Sequence, residues 1–339
     1  MLGPVVLDVE GTVLTDNDRR RLAHPLVGMV ILFSRNYADK AQLTELCEQI
    51  HAARPGILIA VDHEGGRVQR FTEGFTKIPS MRTFGNLWID DPEDAVRRAV
   101  ATGFVMASEL RACGVDLTFA PCLDIDFQRC EVIGHRAFSQ NPKTVTHLAL
   151  AISQGMRLAG MSNCGKHFPG HGWVSADSHQ ALPVDERTFD RLLFADLKPY
   201  RWMGEALDSV MVAHVLYEAI DEKPAGFSKH WIGKVLREQL HFTGCVFSDD
   251  LCMKGAWVAG DIDERAQAAL SAGCDMLIVC NDFAASDRLL ERVQWHRGEH
   301  FDERFERLRP KGEALSWQAL KLSSRYQAAL KIIPEESAA

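Results

Sequence analysis

Eight short apolar runs, rich in β-branched residues, recur along the chain at 5–7, 29–33, 57–61, 117–120, 162–165, 210–213, 245–247 and 276–279. Each is followed by a polar or Gly-rich turn and then by residues with helical periodicity, as at 40–53, 92–113, 142–159, 188–205, 230–240 and 262–272. Strands that are apolar almost throughout must be covered on both faces, and strict alternation with helices makes the sheet parallel. An open doubly wound sheet fits the alternation too, but eight units match barrel closure better. The expected fold is therefore α/β: a single-domain (β/α)8 TIM-type barrel with long loops at the C-terminal face of the strands. It should occupy residues 1–300, and a charged helical extension, 301–339, should pack on or beside it.

With 339 residues, 46% of them hydrophobic, the chain can bury such a core. Its net charge of −8, with acidic and basic residues interleaved, offers no basic face to a phosphate backbone, so nucleic acid is not an expected partner. Nine cysteines without a C-x-x-C pair read as reduced packing residues in a cytoplasm rather than as zinc ligands. The N-terminus shows no export signal and no apolar run reaches membrane-spanning length, so a cytoplasmic protein without membrane contact is expected. No obligatory protein partner is implied.

Barrel enzymes build their sites at the carboxyl ends of the strands, and Asp8, Asp62, Asp124, Lys166-His167, His214, Asp249 and Asn281 all fall there. The densest segment begins Lys166-His167-Phe168-Pro169-Gly170-His171-Gly172 and ends Asp177-Ser178-His179. Its proline and glycines forbid a regular helix, which leaves a long shaped loop. Asp177, two residues from His179, can fix the tautomer of the ring and favour the imidazolium, giving a proton shuttle; the plain alternative is a polar turn. His167, His171 and His179 also have the donor types of a hydrolytic zinc site, although Lys166 beside them disfavours a cation. In Ser248-Asp249-Asp250 one carboxylate can project inward as a nucleophile while the other caps the next helix, and spacing does not decide between them. In Asp62-His63-Glu64-Gly65-Gly66-Arg67-Val68-Gln69-Arg70, Asp62 and Arg70 can grip vicinal hydroxyls. Gly134-His135-Arg136 offers a guanidinium, and His214 reads as a ligand contact or a core histidine.

These residues resemble the single-domain β-N-acetylhexosaminidases of glycoside hydrolase family 3, the bacterial NagZ type. KHFPGHG followed by DSH is highly specific to that group; AVDHEGGRVQR, FSDDLCM, LDVEGT, ILFSRN and MVAHV support it. The resemblance runs from about Val5 to Asn281. It implies a retaining mechanism without metal or other cofactor, with Asp249 as nucleophile and His179 as acid/base supported by Asp177. It also implies that Asp62, Arg70, Arg136, Lys166 and His167 bind the terminal sugar, a set to which His214 is added here. The implied substrates are muropeptide and 1,6-anhydro-N-acetylmuramoyl fragments of peptidoglycan, from which terminal β-linked N-acetylglucosamine is removed during cell-wall recycling. The sequence departs from the family pattern at His63, often Gln in relatives, and carries His135 in a variable slot. The second domain of larger members is not expected, so every catalytic group should come from the barrel and its own loops.

Overall fold

The computed structural model describes residues 2–178 and 180–336. Its strands are β1 Val5–Leu7, β2 Val27–Leu32, β3 Leu58–Val61, β4 His63–Gly65, β5 Val68–Gln69, β6 Leu117–Thr118, β7 Cys164–Phe168, β8 Ser209–Val212, β9 Cys245–Ser248 and β10 Leu277–Val279. Its α-helices are α1 Asp16–Leu22, α2 Lys40–Ala53, α3 Met81–Asp90, α4 Pro92–Ala112, α5 Pro142–Leu158, α6 Phe189–Leu193, α7 Leu197–Met203, α8 Ile262–Ala272, α9 Phe283–Arg292, α10 Phe301–Leu308, α11 Trp317–Leu322 and α12 Ser324–Leu330. A π-helix spans His230–Gln239.

Five strands pair in parallel in the order β10-β1-β2-β3-β6, three more in the order β7-β8-β9, and β4-β5 is a separate antiparallel pair. Parallel bridges at Leu117 to Ser162, Cys122 to Lys166 and Phe247 to Met276 link the edges of the two parallel sheets. Backbone bonds follow: Cys164 donates to Ala120 at 2.8 Å and Ser248 to Met276 at 2.9 Å.

Alternate strand residues enter two separate cores, as a sheet buried on both faces requires. Val6, Met29, Ile31, Leu58, Ala60, Phe119, Met211, Phe247 and Ile278 form one cluster. Val5, Leu7, Val30, Leu32, Ile59, Val61, Val210, Val246 and Leu277 pack instead in the cluster that takes in the covering helices. Phe119 and Phe247 meet edge to face at 5.2 Å inside the first. Phe301, Phe305 and Leu308 of α10 belong to that cluster as well, whereas Leu320, Tyr326 and Ala329 of the last two helices pack on Ala101, Phe104 and Val105 of α4.

Local sequence accounts for several of the helices that cover the strands. Asp91 caps α4 by accepting from the N–H groups of Glu93 and Asp94, with Pro92 in the first turn. Gly103 lets α5 approach: a Cβ there would stand 2.2 Å from the Ile152 carbonyl oxygen. The expected single helix over 188–205 is broken into α6 and α7. Pro199 has no N–H for the Ala195 carbonyl and its ring would clash with it, so the turn before α7 cannot be regular.

Candidate active site

The loops at the carboxyl ends of the parallel strands enclose a cavity of about 540 Å³ whose wall includes Asp62, Arg70, Arg136, Lys166, His167, Asp177 and Asp249. These residues come from four separate stretches of sequence. His179 lies outside the described residues.

One wall is an ion network. Lys166 is 2% exposed, and its Nζ lies 2.8 Å from Asp62 Oδ1 and 2.6 Å from Glu64 Oε1. Glu64 in turn holds Arg136 in a fork, at 2.9 Å to Nε and 2.7 Å to Nη2. Burial alone would lower the Lys166 ammonium; the Asp62 and Glu64 carboxylates outweigh it and hold the pKa above the ordinary lysine value. Burial opposes ionisation of Glu64 too, but Arg136 and Lys166 keep its carboxyl below the usual range. Asp62 is lowered by Lys166 and Arg70 against the same desolvation. Every group in this wall is therefore charged at neutral pH. Arg70 approaches Asp62 Oδ2 at 3.5 Å, and its buried Nε has no hydrogen-bond partner among the described residues.

β7 and β8 pair with a register shift between Gly165 and Phe168. Such a bulge re-aims side chains, and the neighbours Lys166 and His167 both reach the cavity. His167 Nδ1 stands 2.7 Å from Asp124 Oδ2 and its Nε2 is 3.3 Å from Arg136 Nη2. Asp124 also accepts the His171 backbone N–H at 2.7 Å. It is buried, yet His167 and these hydrogen bonds hold its carboxyl well below the usual range. Burial, with His167 nearby, lowers His171 to about 4, so that ring is neutral. Its Nε2 is 3.1 Å from Ser178 Oγ, which ties the loop bearing Asp177 to the Asp124 anchor.

The two carboxylates after β9 differ. Asp250 Oδ1 accepts the N–H groups of Cys252 at 2.9 Å and Cys280 at 3.3 Å. It ties the turn after β9 to the end of β10 rather than capping the next helix, the role expected of one member of the pair, since that helix, Lys254–Ala259, follows Met253 without a side-chain cap. Burial, with Asp249 as a like charge nearby, raises Asp250 to about 6. Asp249 receives the Asp250 N–H at 2.9 Å, and its own N–H bonds to Val212.

His214 is the member of the substrate-binding set that the structure does not bring to the cavity wall. It is fully buried, stacks on Phe227 at 5.2 Å, and neither ring nitrogen has a hydrogen-bond partner among the described residues. Burial lowers its pKa. Glu64 was missed as a site residue, and Asp124, noted at a strand end, was given no role. The signal for Glu64 was its place two residues after Asp62 in an extended segment, hence on the same side. His63, between them, faces away onto Phe71 and Phe75, each at 5.9 Å. His135 is exposed.

For metal binding, Cys122, Asp124 and His167 bring one donor atom each within 4.8 Å of one another. The trio does not suit a cation: Asp124 already binds His167, burial raises the Cys122 thiol well above its ordinary value, and Arg136 flanks the ring. His167 and His171, two of the three histidines considered as zinc ligands, are engaged with Asp124 and Ser178 respectively.

The glycosyl hydrolase family 3 N-terminal domain model matches residues 6–309. A β-hexosaminidase of Bordetella avium is 55% identical over 333 residues, covering 97% of this chain and 95% of that protein. NagZ of Neisseria gonorrhoeae, solved in complex with N-trifluoroacetyl-D-glucosamine, superposes with a TM-score of 0.91 at 44% identity, over 98% of this chain and 96% of that one. The same protein in complex with a zinc ion gives 0.91 at 42% identity, over 98% and 97% of the two chains. The cavity lined by these ionised groups and aspartates thus sits in a chain that belongs to glycosyl hydrolase family 3 and is a glycoside hydrolase of the β-N-acetylhexosaminidase type.

Proposed function

We propose that the protein is a retaining exo-β-N-acetylglucosaminidase that removes terminal β-1,4-linked N-acetylglucosamine from peptidoglycan fragments, muropeptides and 1,6-anhydro-N-acetylmuramoyl products among them, in the cytoplasm. The observation that carries this reading is the shared wall: Asp249 and Asp177 line the same cavity as five charged or polar groups suited to sugar hydroxyls. The sugar-analogue complex of the gonococcal relative supports an acetamido sugar as ligand. The bridges between both pairs of sheet edges support closure of the eight parallel strands into a (β/α)8 barrel.

Asp62, Arg70, Arg136, Lys166 and His167 hold the terminal sugar, with Glu64 fixing two of the cations. Asp249 attacks the anomeric carbon; Asp250 is committed to backbone N–H groups, which favours Asp249 as nucleophile. The Asp177–His179 pair protonates the leaving oxygen. In the second step it takes a proton from the water that releases the sugar, in place of the second carboxyl of most retaining enzymes. His214 acts from behind the wall rather than on the sugar.

A 2-fluoro or 5-fluoro glycosyl donor should leave a sugar on the peptide containing Asp249, and NMR should show a β-configured first product. An α-configured product, or a label on another peptide, overturns the mechanism. The zinc complex of the gonococcal relative makes a chelator control worthwhile. Activity on a nitrophenyl β-N-acetylglucosaminide should survive chelation and dialysis, whereas zinc-restorable loss would favour metal-assisted hydrolysis through the histidine loop.

A further inference from the structure

A second buried ion cluster has no part in binding or bond cleavage as described above. Its centre is Arg187, 5% exposed, at the far end of the loop that follows β7. The guanidinium holds Asp185 through Nε at 3.0 Å and Nη2 at 2.7 Å, and Asp196 through Nη1 at 2.7 Å. The rings of Phe127 and Trp173 each lie 4.8 Å from its Cζ. Trp173 stands at the start of the loop, Asp185 near its end, and Asp196 immediately before α7. One side chain therefore fastens both ends of the segment 173–187 to each other and to the helical layer. Between those ends lie Asp177 and Ser178, in the cavity wall.

Neighbouring contacts reinforce the arrangement. Arg129 covers Trp173 at 4.1 Å, Tyr217 Oη donates to the Gly170 carbonyl at 2.7 Å, and the Asp185 N–H bonds to Leu216 at 2.8 Å. A Cβ at position 170 would stand 2.4 Å from Asp196 Oδ1, so the loop leaves β7 in contact with the clasp. The planar fork of arginine can grip two carboxylates and stack on two rings at once, which lysine cannot do. Buried ion triads add little stability over an apolar replacement, so a geometric role fits this one better.

We propose that Arg187, with Trp173 and Asp196, is a positioning clasp for proton transfer: it keeps the Asp177–Ser178 segment in the cavity wall while the glycosidic oxygen is protonated, without touching substrate. The inference rests on the proton-shuttle reading of the Asp177–His179 pair.

The test is a series of aryl β-N-acetylglucosaminides running from dinitrophenyl, which needs almost no protonation, to phenyl, which needs it most. Arg187→Lys, Trp173→Phe and Asp196→Asn should keep kcat/KM on the dinitrophenyl substrate close to wild type, and lose about tenfold or more on the phenyl substrate. The wild-type rate on the activated substrate also reports folding, and if Arg187→Lys fails to fold, the two milder variants carry the measurement. Equal loss at every leaving group, or none anywhere, overturns the clasp. His179→Ala, run in parallel, separates the two failures. If it steepens the leaving-group dependence and the clasp variants do not, the clasp alone is wrong; if it does not steepen it, the shuttle reading falls and takes the proposal with it.

Discussion

Glu64 illustrates how a residue without direct chemistry can decide whether a site exists. Its carboxylate stands between the Lys166 ammonium and the Arg136 guanidinium, all three nearly buried. Removing one partner of such a set leaves uncompensated charge in the interior, which costs about 3–5 kcal/mol. Glu64→Gln should therefore lower stability by that order in urea titrations and raise KM more than it lowers kcat. The pH dependence has a definite sign. A carboxyl held below its usual range stabilises the fold fully above its unfolded pKa and loses that contribution as pH falls through the folded value. The acid loss of stability should thus be shallower in the Gln variant. Asp250 behaves oppositely. Raised to about 6 by burial, its ionisation costs the fold stability as pH rises from about 4 to 6. Asp250→Asn should match wild type near pH 4, gain about 1–3 kcal/mol above pH 6, and keep its turnover within about tenfold; Asp249→Asn should abolish turnover. A stability gain that persists at pH 4, or equal losses of activity in the two variants, would contradict this division. Asp62, Lys166, His167 and Asp249 were legible in the sequence because polar residues that end apolar strands stand out. Asp124 stood out at a strand end in the same way, but its role, like the place of Glu64, was not legible, because their charges are matched by partners 43 and 72 positions away, beyond the reach of spacing. Spacing left Asp249 and Asp250 open; the family resemblance chose Asp249, and the two N–H groups held by Asp250 favour the same choice.

At the scale of elements, the eight parallel strands were legible because burial on both faces leaves runs that are apolar almost without interruption. Where one strand edge departs from regular pairing, legibility failed. The bulge in β7 carries the strand to Phe168 rather than ending it at Gly165, and the antiparallel β4-β5 pair was not among the expected strands. The break before α7 was available from Pro199 in principle, but the apolar spacing over 188–205 runs through it without a mark. The packing of α4 on α5 provides a test in which two local rules conflict. Alanine has about 1 kcal/mol better helix propensity than glycine, so an isolated α4 would gain from Gly103→Ala. The added Cβ, however, would press on the backbone of α5, 2.2 Å from the Ile152 oxygen, where no flexible side chain can give way. The close approach should win, with a net loss of about 1–3 kcal/mol by urea unfolding. A variant as stable as wild type would mean that the two helices can separate without disturbing the strands beneath them.

Across the whole molecule, the C-terminal residues divide by what they cover. Phe301, Phe305 and Leu308 share a cluster with Val6, Met29, Phe119 and Phe247 of the strand region, and Arg304 holds Asp275 at 2.8 Å, so α10 packs on that core. The last two helices lie outside, where Tyr326 Oη meets the buried Glu109 carboxylate at 2.5 Å and Glu336 accepts the Ser80 N–H at 2.8 Å. Phe305→Ala should cost about 3–5 kcal/mol, the price of emptying an aromatic site in a packed interior. A chain ending after Gly298 should fail to give a cooperative unfolding transition, because the strand cluster would lose its cover. A chain ending after Gly312 should fold and melt earlier. It should also raise KM more than it lowers kcat, since Trp317 packs edge to face on Phe75 at 5.4 Å and Phe75 backs His63, the residue between Asp62 and Glu64. Comparing the two truncations by thermal unfolding and by kinetics on a nitrophenyl β-N-acetylglucosaminide therefore places the functional boundary of the extension. If both fold and turn over alike, the core ends before α10; if neither folds, the outer helices are as necessary to the strands as α10 is.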